Sequence, residues 1–111
     1  MTVATRKRRT DRNQLIYQIW NTYTGESYIG ITVSTGNTKK EKEKALKVRW
    51  QKHVRRALTE GRDWTFCQAI REHGPEAFER EVIEVVRGKA AAHVRELEII
   101  REIEAELNTA N

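Results

Sequence analysis

Five side chains of this 111-residue sequence stand where their type and spacing could do chemistry: Tyr17, Tyr28, Arg49, His53 and Glu96. Glu96 is singled out by helix geometry alone. In a helix over Lys89 to Leu107, at about 100° per residue, Ile100, Ile103 and Leu107 fall within about 40° of it, so the carboxylate is centred on the apolar stripe. A carboxylate aimed into a core is costly unless an ion pair or a bound cation compensates it, and both alternatives stay open here. Glu98 and Glu102 fall on the far side, with Glu104 and Glu106 at the margins, as on a solvated helix face. Arg49 and His53 lie about one helical turn apart and can point past a core edge toward the same place, with Arg56 roughly another turn on. Tyr17 and Tyr28 sit in two short runs rich in β-branched and aromatic residues, and a hairpin loop of even length between them puts both phenols on one sheet face.

These side chains need elements to hold them. Leu15 to Gly30, LIYQIWNTYTGESYIG, reads as a β-hairpin around the polar segment Asn21 to Glu26. Ile31 to Thr38 reads as loop, and the mixed Lys39 to Lys44 run enters a helix whose stripe is Leu46, Trp50, Val54 and Leu58, ending near Gly61. Thr65 to His73 predicts a short second helix, with Thr65 and Gln68 as a capping-box pair and Gly74-Pro75 as the stop. Glu81 to Arg87 reads as a third, buried strand, and Lys89 to Leu107 as the final helix. The fold class is therefore α+β, a small three-stranded antiparallel sheet flanked by helices in the order β-β-α-α-β-α.

Length allows one domain, over residues 13–111, preceded by a basic and disordered arm at 1–12. Residues 1–56 carry 14 Lys/Arg against 4 Asp/Glu, a balance of +10, and residues 57–111 carry 7 against 12, a balance of −5. The front half is the polyanion-facing half, and a positive pole beside the tyrosine hairpin points to phosphate backbone, the alternative being a solvated, soluble surface. The single cysteine, Cys67, excludes an intrachain disulfide and a cysteine-type zinc cluster, which fits a reducing, cytoplasmic setting. No apolar run reaches the length of a signal peptide or a membrane span, so no membrane role is expected. Internal repeats and glycine-rich phosphate loops are lacking in the sequence.

With these residues in place the sequence resembles the GIY-YIG nuclease superfamily. Leu15-Ile16-Tyr17 matches its first block and Tyr28-Ile29-Gly30 its second, while Arg49 and His53 match an arginine and histidine four residues apart on the first helix. Glu96, Ile100 and Asn108 fit the glutamate of a later helix, an aliphatic position and a following asparagine. Leu15 departs from the usual first glycine, and Ile31 to Lys44 is longer than in compact members. The resemblance implies a DNA endonuclease. Glu96 would hold one Mg²⁺, or another divalent cation such as Mn²⁺, and Arg49 would grip the scissile phosphate through its planar fork. Tyr17 would orient or deprotonate the attacking water with His53 as helper, and Tyr28 and Asn108 would position phosphate and neighbouring groups by hydrogen bonding. Lys39, Lys40, Lys42, Lys44, Lys52 and Arg56 are the expected contacts to flanking phosphates, the first four from a mobile insertion.

Two further readings compete with this one. A catalytically idle nucleic-acid-binding module would use the basic half alone, but a carboxylate among phosphates would repel its ligand. A structural or partner-binding domain leaves Tyr17, Arg49 and His53 unexplained. Homing, restriction, repair and phage roles are not separable from sequence, and a chain ending three residues after Asn108 is expected to be either a fragment or a small nuclease of low specificity.

Overall fold

The computed structural model describes residues 12–34, 36–62 and 64–108. Its elements run β1 (Asn13–Asn21), β2 (Ser27–Val33), α1 (Lys39–Leu58), α2 (Thr65–His73), β3 (Phe78–Arg87) and α3 (Lys89–Ile103), with short 3₁₀ turns at Pro75–Ala77 and Glu106–Asn108. The expected α+β order is what is found. The sheet is antiparallel with β1 in the centre, order β2-β1-β3. The basic arm at 1–12 lies outside the described residues except for Arg12, whose carbonyl accepts the Gly88 N–H at 3.0 Å.

The hairpin forms because its turn satisfies itself. Asn21 Oδ1 accepts the Tyr23 and Thr24 N–H groups at 2.8 and 3.2 Å, and Gly25 takes the positive φ of 81° that closes the loop. Asn21 N–H donates to Glu26 O at 2.9 Å, so the loop holds four residues. That even count sets Tyr17 opposite Gly30 and Ile19 opposite Tyr28, which places both phenols on one face as expected.

Two apolar layers sandwich the sheet. On the tyrosine face Tyr17, Ile19, Leu46, Trp50, Phe66, Ile70 and Phe78 make the larger core, and on the other Ile16, Ile29, Ile99 and Ala105 pack under α3. The sheet alternation of period two sorts β1 into these layers, Tyr17 and Ile19 one way and Ile16 the other.

Several boundaries differ from the sequence reading, each for a local reason. β2 continues to Val33, and α1 starts at Lys39 behind a capping box in which Thr38 Oγ1 accepts the Glu41 N–H at 3.1 Å and the Glu41 carboxylate accepts the Thr38 N–H at 3.3 Å. The Lys39 to Lys44 segment is therefore capped helix rather than a mobile loop. The buried stripe of α1 is Leu46, Trp50, His53 and Ala57, and Leu58 is 54% exposed, because the true period of 3.6 drifts away from a strict four-residue count. At α2 the N-cap is Trp64 rather than Thr65, and it provides no side-chain cap bond.

β3 is an edge strand, longer than expected, with Ile83 and Val85 substantially exposed, so it is half-buried rather than core. A register shift beside Ile16 and Tyr17 interrupts its pairing with β1. The last helix stops at Ile103 instead of reaching Leu107. Glu104 adopts the left-handed conformation, φ 52°, and its N–H caps the Ile100 and Arg101 carbonyls. Ile103 is thereby 42% exposed, while Ile99 and, after the turn, Leu107 are buried.

Candidate active site

His53 and Tyr17 form the centre. Tyr17 Oη and His53 Nε2 lie 2.9 Å apart across the larger core, and neither side chain keeps more than 3% exposure. Burial, followed by the positive charges of Arg49 and Arg56, lowers the His53 pKa to about 3, so the imidazole is neutral at any ordinary working pH. Burial raises the Tyr17 pKa and the neighbouring Tyr28 adds to the rise, while Arg49 acts in the opposite direction. The resting pair is thus a neutral phenol against a neutral imidazole. With Nε2 as the unprotonated nitrogen, the phenol donates to it and keeps its oxygen lone pairs for another donor.

Tyr28 is the more accessible phenol. Its ring stacks on Phe66 at 4.2 Å between centroids and 7° between planes, and meets His53 edge-on at 5.2 Å. Phe66, in the first turn of α2, also packs edge-on against His53 at 5.0 Å. Sequence reasoning treated α2 as structure without a role at the site and so missed this support. Its one sequence signal is an aromatic at the start of a helix whose register faces the core.

Gly30 explains itself through Tyr17. A Cβ built there would overlap the Tyr17 hydroxyl and lie 2.6 Å from its Cζ, so the phenol crosses the strand where the glycine leaves room. Gly30→Ala should push the ring off His53. We expect a drop in any phosphodiester cleavage of at least about 10²-fold, as misplacement of a reacting group by about 1 Å costs, against a loss of only about 1–3 kcal/mol in stability. Plasmid nicking rates beside thermal melts measure the two; an active Gly30→Ala would show that the phenol's position is not needed.

Arg49 is half-buried, and its Nε is enclosed without a hydrogen-bond partner. A buried donor left unpaired in this way is expensive, and its guanidinium is close enough to act on Tyr17, Tyr28 and His53 together. Glu96 arrives from α3, and its charge is the largest acting on Tyr28, after burial, in raising that phenol's pKa. The carboxylate is itself pushed up by burial, partly offset by His93, whose Nδ1 lies 3.2 Å from Glu96 Oε1. Its side chain is 15% exposed, so it sits at the margin of the core rather than inside it. Among the described residues no group of three or more His, Cys, Asp or Glu side chains could hold a metal ion. A cation held by Glu96 would keep most of its water, which suits a hard ion.

Asn108 is bound to the edge strand β2. Its carboxamide pairs with the backbone of Ile29, accepting N–H at 2.7 Å and donating to C=O at 2.8 Å, and Glu106 Oε1 accepts the Ser27 N–H at 3.2 Å. The two side chains pair with the outer edge of β2 as a further strand would, at Ser27 and Ile29 on either side of Tyr28. Asn108 thereby positions the strand that carries Tyr28.

The basic set divides. At about 100° per residue, Lys42, Lys52 and Arg56 lie within about 60° of Arg49 on α1 and Lys39 about 80° from it, whereas Lys40 and Lys44 are turned at least about 140° away. A surface concavity of about 1260 Å³ lies away from the phenols, between α1 and β3, and Lys39, Lys40, Lys42, Lys44 and Lys47 all line it.

Two solved structures match this arrangement. The catalytic domain of the homing endonuclease I-TevI is 23% identical with a TM-score of 0.65, covering 88% of this chain and 96% of that one. A mutant form of the catalytic domain of the intron endonuclease I-TevI is 22% identical with a TM-score of 0.66, covering 89% and 92%. This chain has the fold of that catalytic domain. No family model and no curated protein matches the sequence. Leu15, where the sequence departs from the glycine of the resembled first block, is wholly buried on β1, and so is Tyr17. No helix among the described residues is long and apolar enough to cross a membrane.

Proposed function

We propose that this chain is a metal-dependent endonuclease that hydrolyses DNA phosphodiester bonds. The observation that carries the reading is the enclosed, unpartnered Nε of Arg49 between a phenol–imidazole pair and a half-buried carboxylate. A guanidinium whose Nε–H has no partner among the described residues, beside a phenol and an imidazole, suits a phosphate oxygen. The I-TevI domain that shares the fold is named as a homing endonuclease, which supports DNA as the substrate.

In the proposed mechanism Arg49 binds the scissile phosphate and neutralises the charge that grows on it in the transition state. Tyr28 at the accessible side hydrogen-bonds the phosphate, and its raised pKa keeps its proton in place. Tyr17 orients the attacking water, with the neutral His53 as its hydrogen-bonded helper. Tyr17 has no exposed surface in the free protein, so its oxygen meets that water only after the neighbouring side chains shift on substrate binding. Glu96 would hold Mg²⁺ or Mn²⁺, which when bound would polarise a phosphate oxygen and stabilise the leaving one. Lys42, Lys52 and Arg56 extend the Arg49 flank along the backbone. A reducing, cytoplasmic setting agrees with a lone, buried Cys67.

Incubation of the protein with supercoiled plasmid, in Mg²⁺ and separately in chelator, tests the proposal. Nicked and linear products are expected with the cation and none without it. DNA binding with no cleavage under either condition would leave the idle binding module as the correct description.

A further inference from the structure

Trp64 is an exposed aromatic that neither the core nor the proposed chemistry uses. It is 45% exposed and holds the N-cap of α2 in an extended conformation, φ −65° and ψ 147°. The Arg62 guanidinium lies 5.0 Å from its ring centroid and that of Arg56 5.7 Å. The segment that carries it is fastened from behind, since Arg71 donates to the carbonyls of Ala57 and Arg62 at 2.9 and 2.8 Å. A large indole, 45% exposed and with two guanidinium groups within about 6 Å of its ring centroid, is a surface suited to a flat, electron-rich ligand in a polyanion.

Its location supplies the second argument. Arg56 contributes to the electrostatics of both Tyr28 and His53 while standing over Trp64, so one arginine joins the indole to the centre. Two residues beyond Trp64, Phe66 stacks on Tyr28. A strand whose phosphate reached Arg49 would pass its neighbouring sugar and base within this neighbourhood. The bases of continuous duplex are stacked on one another and cannot offer a face to the indole. An unpaired base can.

We infer that Trp64, with Arg56 and Arg62, is a stacking site for one unpaired nucleobase beside the cut, and that the chain prefers DNA carrying such a base, as in a bulge, gap or flap, over continuous duplex. The inference deepens the nuclease reading, on which it rests for the choice of DNA as ligand.

The test is equilibrium binding in chelator, so that cleavage plays no part, using a fluorescently labelled duplex and the same duplex with one extra unpaired thymidine. Base–aromatic stacking predicts that the wild type binds the bulged duplex about 5- to 100-fold more tightly. Trp64→Leu should erase this ratio and leave affinity for continuous duplex within about 2-fold, while Trp64→Phe should keep most of it. Indole fluorescence should be quenched by the bulged duplex, and the quenching should be missing in Trp64→Phe. A thermal melt matching the wild type establishes that Trp64→Leu is folded, and a variant that does not fold transfers the decision to the quenching and to Trp64→Phe. Equal binding of both duplexes by the wild type, or a ratio unchanged in Trp64→Leu, overturns the stacking site and leaves the nuclease reading intact. No binding to either duplex overturns both.

Discussion

Glu96→Ala should abolish cation-dependent cleavage while the protein stays folded and still binds DNA. The carboxylate is the proposed anchor for the cation, and transition-state stabilisation by a bound ion amounts to several kcal/mol, so the rate should fall at least about 10³-fold. Folding should not suffer. Burial raises the Glu96 pKa, so the charged form is held at a cost, and alanine is the stronger helix former at a position inside α3. Affinity for DNA in chelator should be unchanged or slightly higher, because one negative charge leaves the neighbourhood of Arg49. Glu96→Gln, which keeps the volume, should behave the same way if charge is what matters. The same substitutions should move the Tyr28 pKa back down, since Glu96 supplies the largest charge acting on that phenol, and absorbance titration of the phenols would follow it. Undiminished nicking by Glu96→Ala would remove the carboxylate from the mechanism.

The sequence showed Glu96 for a reason only partly borne out by the packing. A strict helix through Leu107 centres Glu96 on an apolar stripe, but the helix ends at Ile103 and the true stripe runs through Ala92 and Ile99, leaving Glu96 at its margin. Helix periodicity located the residue, yet could not foresee the left-handed Glu104 that turns the chain back to bury Leu107 and carry Asn108 to β2. The same holds for His53, which lies beside a four-residue stripe on paper and inside the stripe at 3.6 residues per turn. Burial, invisible in spacing, then decides its protonation state. Tyr17 and Tyr28 were legible because strand alternation is of period two and needs only the parity of the loop. Gly30, Phe66 and Trp64 were not, since each acts through a contact across elements that no local pattern encodes.

Arg49→Lys separates charge from shape at the phosphate site. A lysine retains one positive charge on α1 but presents a single ammonium in place of the planar fork, and nothing on it reproduces the buried Nε–H that lies unpartnered in the free protein. If that donor is reserved for a phosphate oxygen, its loss should be felt where charge grows during reaction and little in the ground state. We expect single-turnover cleavage to fall about 10²- to 10³-fold, the range seen when one preorganised donor to a developing oxyanion is removed, with the DNA dissociation constant changed by less than about 3-fold. Because lysine keeps a positive charge near His53, the imidazole should remain neutral, so the loss should be similar across pH 6 to 8 by the direction of its shift. Arg49→Ala should cost more, removing charge and fork together and weakening binding as well. A lysine variant with wild-type turnover would mean that Arg49 serves as a point charge and that the vacant donor has no part in the chemistry. A lysine variant that lost affinity and rate in equal proportion would place the guanidinium in substrate binding rather than in stabilising the transition state.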